Sequence, residues 1–220
     1  MKLTYGDMGH VLTFDGYVNE LVIENKKLFF DMVSSMMSQV DGTHGGCILS
    51  ISNKPVEFSK YADVTVQFAP FQMNRKFLLT KLYNSLEQNA SLAENYIKTV
   101  EILGEIERYV INLSDELPFE LNFKRLAIGP IIKAISPEID ESDKSPIEKV
   151  FSYMELVREL DRDRLFVMVN MRAYFSDEEM ERFTESACLH DFKVLLLESV
   201  ALTVLSHTKR YTVDADLCEF

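Results

Sequence analysis

Two nearly continuous apolar runs, Leu165–Val169 and Val194–Leu197, stand on either side of a polar stretch that carries helix signals. Runs of this kind suit strands buried on both faces, as in a parallel sheet covered by helices. Between them, Ser176 is placed to cap a helix, and Glu179 is placed to reach back to the backbone of the cap. The unit reads strand, loop, helix, strand, and it predicts the sheet of an α/β domain.

The remaining pattern fills in around that unit. Short β-like pieces are predicted at 1–5, 11–14 and 20–24, separated by Gly6, Gly9 and Asp15-Gly16. Asn25 caps a predicted helix over 26–39, with Leu28, Met32, Val33 and Met36 on its inner side. Strands 47–52 and 63–68 follow, the second alternating Val64, Val66 and Phe68 with Thr65 and Gln67. From Asn74 the pattern becomes helical, first over 74–89 and then from a Ser91 cap over 92–112. In the longer helix Leu92, Tyr96, Leu103, Ile106, Val110 and Leu113 fall near the 3.5-residue spacing of helices that pair. Leu117–Phe123 alternates, and Pro118 places it at an edge strand or a turn; 124–135 is a short helix weakened by Gly129-Pro130. An acidic loop at 136–145 precedes a helix begun by Pro146 and running to Asp161, and 211–217 reads as a last strand. The predicted layout is an α/β domain of residues 1–72 and 163–220, split by a helical insertion at 73–162.

Composition narrows the function classes. At 220 residues the chain can bury one good core and carry a sizeable insertion. No apolar run approaches the ~20 residues needed to span a bilayer, and the first residues lack a signal-peptide core, so a cytoplasmic protein without membrane contact is expected. Cys47, Cys188 and Cys218 are far apart and odd in number, which predicts neither a disulfide framework nor a thiolate metal site. The net charge of −12 argues against non-specific wrapping of nucleic acid and leaves only local basic patches for such a role. The eight glycines form neither of the common nucleotide-loop patterns. Gly45-Gly46 precedes a strand, whereas a phosphate loop follows one and feeds a helix. The four histidines lack metal-ligand spacing, and no serine sits in a nucleophile elbow.

Two sets of charged residues remain as candidates. Asp115, Glu116 and Glu120, with the acids of the Glu138–Asp143 loop, could converge to give the six to eight oxygens that calcium takes; the alternative is a solvated acidic loop. The basic residues Lys26, Lys27, Lys54, Lys60, Arg75, Lys76, Lys124 and Arg125 serve solubility singly, but a symmetric oligomer turns one patch per subunit into a ring of charge.

The segments Leu165–Asn170, Tyr174–Glu179, Val194–Glu198 and Asp214–Glu219 together resemble the small adaptation protein of type II-A CRISPR systems. The order of elements, the length and the helical insertion also fit, so the resemblance covers essentially the whole chain. Its motifs are structural rather than catalytic. The resemblance implies an α/β head related to P-loop ATPases but without a nucleotide site, and an α-helical leg. It implies a non-enzymatic, ring-shaped homotetramer that holds double-stranded DNA ends in its central hole during spacer acquisition, a step of antiviral defence. The implied partners are the CRISPR adaptation integrase complex and the effector nuclease. Calcium held by leg acids is also implied, and Glu116, Glu120, Glu138 and Asp140 are the nearest matches here, with Pro118 and Lys124 interrupting the acidic run of the family. The DNA-contacting role falls on Lys54 and Lys60, with Arg75, Lys76 and Lys26 next. Two other readings stay open on the residues alone: a degenerate P-loop-like nucleotide hydrolase or kinase, and a calcium-responsive protein scaffold.

Overall fold

Five parallel strands in the order β6-β7-β8-β3-β9 form the centre of the chain: β3 (Val18–Ile23), β6 (Ala62–Thr65), β7 (Leu165–Val169), β8 (Lys193–Glu198) and β9 (Thr208–Val213). They belong to a computed structural model that describes residues 1–6, 8–115 and 117–220. The chain divides into two compact units, Met1–Met73 with Glu141–Phe220, and Asn74–Asp140.

In the first unit, β3 and β7 are buried along their whole length, as expected of inner strands covered on both faces. One face packs on α1 (Lys26–Val40) and on a second, antiparallel sheet of β2 (Leu12–Thr13), β1 (Lys2–Tyr5), β4 (Cys47–Ile51) and β5 (Lys54–Val56). Leu21, Val167 and Leu195 meet Leu3, Met32, Met36 and Leu49 there, all within about 1% of full burial. Each such side chain contributes roughly 1.5–3 kcal/mol of transfer free energy. The other face takes α6 (Pro146–Leu160) and α7 (Asp177–Leu189), with Phe192 edge-on to both Phe166 and Phe151.

Local signals fix where these helices start. Ser176 Oγ accepts from the Glu179 N–H, and the Glu179 carboxylate accepts from the Ser176 N–H at 2.9 Å, the reciprocal pattern expected from the sequence. Ser145 and Glu148 repeat it at the start of α6. The Asn25 side chain accepts from the Leu28 N–H and begins α1. A one-turn helix, α2 (Phe58–Tyr61), links β5 to β6.

The second unit holds α3 (Lys76–Ala90), α4 (Ala93–Ser114) and α5 (Ile128–Ile135). Gly129 lets α5 approach α3, since a Cβ there would lie within 3.0 Å of the Glu87 carboxylate. The Asn74 side chain closes the unit by donating to the Ile139 carbonyl and accepting from the Ile139 N–H at 2.8 Å.

Several expectations are revised. The unit 74–140 is shorter than an insertion over 73–162, because α6 packs on the parallel sheet: Tyr153 is fully buried and its hydroxyl donates to Asp63 at 2.6 Å. The 117–123 stretch alternates in sequence yet forms no strand, having no partner strand to bond. Leu92, not Ser91, occupies the N-cap of α4, and the Ser91 hydroxyl donates back to the Glu87 carbonyl. No helix among the described residues is long and apolar enough to cross a membrane.

Candidate functional site

The carboxyl ends of parallel strands are where α/β folds bind anionic ligands, so the link from β3 to α1 is the first place to look. It consists of two residues, Glu24 and Asn25. Neither is glycine, and both are engaged by the C-terminal segment. The Glu24 N–H donates to the Val213 carbonyl at 2.9 Å, and Asn25 Nδ2 donates to the Ala215 carbonyl at 2.9 Å. A phosphate cradle needs several consecutive N–H groups on a longer loop leading into the helix. This link does not supply one.

The candidate basic residues fall on both units. Ser52 and Asn53, at φ 50° and 59°, make the two-residue turn between β4 and β5, which suits the strand twist and puts Lys54 just past the turn, exposed. Lys60 ends the single turn of α2 and is 61% exposed, paired with Glu57 at 2.5 Å. That hydrogen bond holds the Glu57 carboxyl below the usual range. Lys26 is exposed in the first turn of α1. Arg75 is the N-cap of α3, and Lys76 its first residue, in the other unit. Lys54 and Lys60 therefore share one short segment, β5 to α2, and the others do not.

The acids do not gather. Glu120, Glu138 and Asp140 are exposed, and among the described residues no group of three or more His, Cys, Asp or Glu is placed to hold a metal ion. Glu116 lies outside the described residues. Cys47 is buried, which pushes its thiol up to about 12 and keeps it neutral.

A buried cluster of charge lies elsewhere, in the parallel sheet. Glu20 on β3 is fully buried and accepts from two guanidiniums, Arg172 Nη1 and Arg210 Nε, each at 2.7 Å. Arg172 reaches it from the 3-10 turn Met171–Ala173 after β7 and also donates to Asp177 Oδ1 at 2.9 Å. Glu198, at the end of β8, accepts the backbone N–H of Arg172 at 3.2 Å. Burial pushes the Glu198 carboxyl up to about 7, helped by nearby Glu20 and opposed by Arg172. The sequence reading passed over this cluster, although a lone glutamate inside Val18–Ile23 is an available signal.

A family model described as "CRISPR-associated protein (Cas_Csn2)" matches residues 39–217. A CRISPR-associated protein Csn2 from Enterococcus faecalis is 22% identical over 195 residues, covering 88% of this chain and 87% of that protein. Another from Streptococcus agalactiae is 24% identical over 135 residues, covering 58% of this chain and 60% of that protein. The crystal structure of Stu0660 of Streptococcus thermophilus superposes with a TM-score of 0.62 at 12% identity, covering 96% of this chain and 74% of that one, a likeness of fold.

Proposed function

We propose, from the premise that the chain belongs to the Csn2 family of CRISPR-associated proteins, that it is a non-enzymatic homotetrameric ring which holds double-stranded DNA ends during spacer acquisition. The observation that carries this reading is the family match across residues 39–217. The head is read as a relative of P-loop ATPases that has lost its nucleotide site, in keeping with the two-residue Glu24-Asn25 link. A hydrolase or kinase would need the cradle that this link does not form. Calcium is not built into the proposal, since the described acids offer it no shared site.

Oligomerisation is supported by α4. None of its residues is buried within the chain. Ile97, Val100 and Ile111 are exposed on one flank, and Ile102, Ile106, Tyr109 and Leu113 on the other. At 3.6 residues per turn the apolar arc spans roughly 240°, more than one neighbouring helix covers. Further copies of the chain would cover it. Light scattering at micromolar concentration should give about 100 kDa, four chains of 25.4 kDa. A mass of one chain would sink the ring.

The mechanism is electrostatic. Lysine ammonium groups meet the phosphates of a threaded duplex and read no bases. Lys54 and Lys60 are assigned this contact because they are exposed on one short segment, with Arg75, Lys76 and Lys26 behind them. The adaptation integrase complex and the effector nuclease are the partners in this reading, in the cytoplasm. Binding of a linear duplex compared with the same sequence as a closed circle tests it.

A further inference from the structure

A cavity of about 390 Å³ lies outside the carboxyl ends of β6 and β7, within the first unit. That end of a parallel sheet is where α/β folds place ligands. The segment after β6 contributes Phe68 and Phe71, and the turn after β7 contributes Tyr174 and Phe175. Phe68 is the floor. It is 2% exposed, with its ring centroid 5.6 Å from that of Tyr174, 6.2 Å from Phe175 and 6.3 Å from Phe71. Tyr174 is the open wall: it is 50% exposed, and its hydroxyl has no partner among the described residues.

Two charged side chains complete the lining, Lys149 from α6 and Glu179 from the first turn of α7. They are not equally available. Lys149 Nζ is paired with Glu141 at 3.4 Å. Glu179 spends only Oε2 on the cap of α7, accepting from the Ser176 N–H at 2.9 Å and from its hydroxyl at 2.8 Å. Its Oε1 has no partner among the described residues. The bonds from Ser176 hold the Glu179 carboxyl below the usual range, so it is charged at neutral pH. The two acids before it are matched, Asp177 by Arg172 at 2.9 Å and Glu178 by Arg182 at 3.0 Å. The unspent charge at the cavity is therefore negative.

An aromatic face attracts a cation within about 6 Å of its centroid, and a carboxylate beside it adds a charged hydrogen bond. We propose that this cavity takes an arginine side chain of a partner protein, its guanidinium stacked on Tyr174 and Phe175 and donating to Glu179 Oε1. A guanidinium fits better than an ammonium because it is planar and weakly hydrated, and it can donate in its plane while a ring covers its face. The open Tyr174 wall leaves the outer part of any occupant in water. That suits a side chain carried on a larger body, whereas small-molecule sites bury about 70–90% of their ligand. The unspent carboxylate repels phosphate, so the partner is a protein and not a nucleic acid. The inference is independent of the DNA-binding reading, since neither Lys54 nor Lys60 lines the cavity.

The test uses the full chain carrying 3-fluorotyrosine, with Tyr174 identified among the nine tyrosines as the fluorine signal lost in Tyr174→Phe. N-acetylarginine methylamide is compared with its citrulline counterpart, which has the same shape and no charge. The Tyr174 signal should shift saturably with the arginine compound, with a midpoint on the order of 1–10 mM. The citrulline compound should bind about tenfold more weakly. Glu179→Gln should reduce arginine binding to the citrulline level and keep the fold, because glutamine also closes a capping box. No saturation with the arginine compound, equal binding of the two compounds, or unaltered binding by Glu179→Gln overturns the proposal. Spermidine is titrated separately; tighter binding than the arginine compound would make the occupant a free polyamine and overturn the partner side chain. If Glu179→Gln does not fold, the arginine and citrulline comparison on the parent protein decides.

Discussion

The Lys54→Glu, Lys60→Glu double variant should bind linear duplex at least about a hundredfold more weakly than the parent protein. A chain at −12 cannot draw DNA by its average field, so contact depends on places where cations are concentrated and acids are scarce. Between Asp41 and Asp63 the only acid is Glu57. In a tetramer, reversal at both positions removes eight cations and installs eight anions. Each lost phosphate contact lowers the number of counterions released on binding, so the salt dependence should flatten as well. The fold should survive. Lys54 is exposed beside a hairpin turn, and the Lys60–Glu57 pair is exposed on both sides and contributes little. An electrophoretic titration at low salt measures the affinity, with light scattering as the control for assembly. If the variant binds as the parent does, the contact lies elsewhere, and Arg75, Lys76 and Lys26 are the next residues to reverse.

Arg172→Met should destabilise the first unit by about 3–5 kcal/mol, the cost of leaving half of a buried ion pair behind. The side chains of Arg172 and Glu20 are each 1% exposed, so water cannot take over what the guanidinium supplied. Arg210 would remain on Glu20, but its side chain is 16% exposed and is shared with two loop carbonyls. The second contact of Arg172, to Asp177, is different in kind. Asp177 is 60% exposed, so Asp177→Asn should cost less than about 1 kcal/mol. Adding Glu20→Gln to Arg172→Met should recover part of the loss by removing the stranded charge. Urea unfolding followed by circular dichroism measures all three. A loss below about 1 kcal/mol for Arg172→Met would show that the pair does not hold the sheet together.

What the sequence made legible follows from where the physics is local. The apolar runs became β7 and β8 because burial on both faces leaves no polar alternation to confuse the period. Ser176 with Glu179, Ser145 with Glu148, and Asn25 marked helix starts because each cap bonds within a few residues of itself. The failures were non-local. Leu117–Phe123 has the alternation of a strand, but a strand needs a partner, and the chain provides none there. The end of the insertion was misplaced because the amphipathic pattern of α6 shows that it packs on something, not that the parallel sheet is what it meets. Arg172 and Glu20 stand 152 residues apart, so nothing in either neighbourhood announces their pairing. The same holds for the candidate basic residues. Their exposure and their sequence neighbours were readable, whereas their arrangement around a ring belongs to an assembly and not to one chain.

The central claim is that a closed ring threads DNA from its end, and one comparison tests it most directly. A duplex of one sequence is prepared as a linear fragment and as a covalently closed circle, and both are titrated with the protein at equal, low salt. The account predicts a retained complex on the linear form and none on the circle, with binding to the circle restored when a nuclease opens it once across both strands. Equal affinity for the two forms would contradict threading, whatever residues prove to touch the DNA.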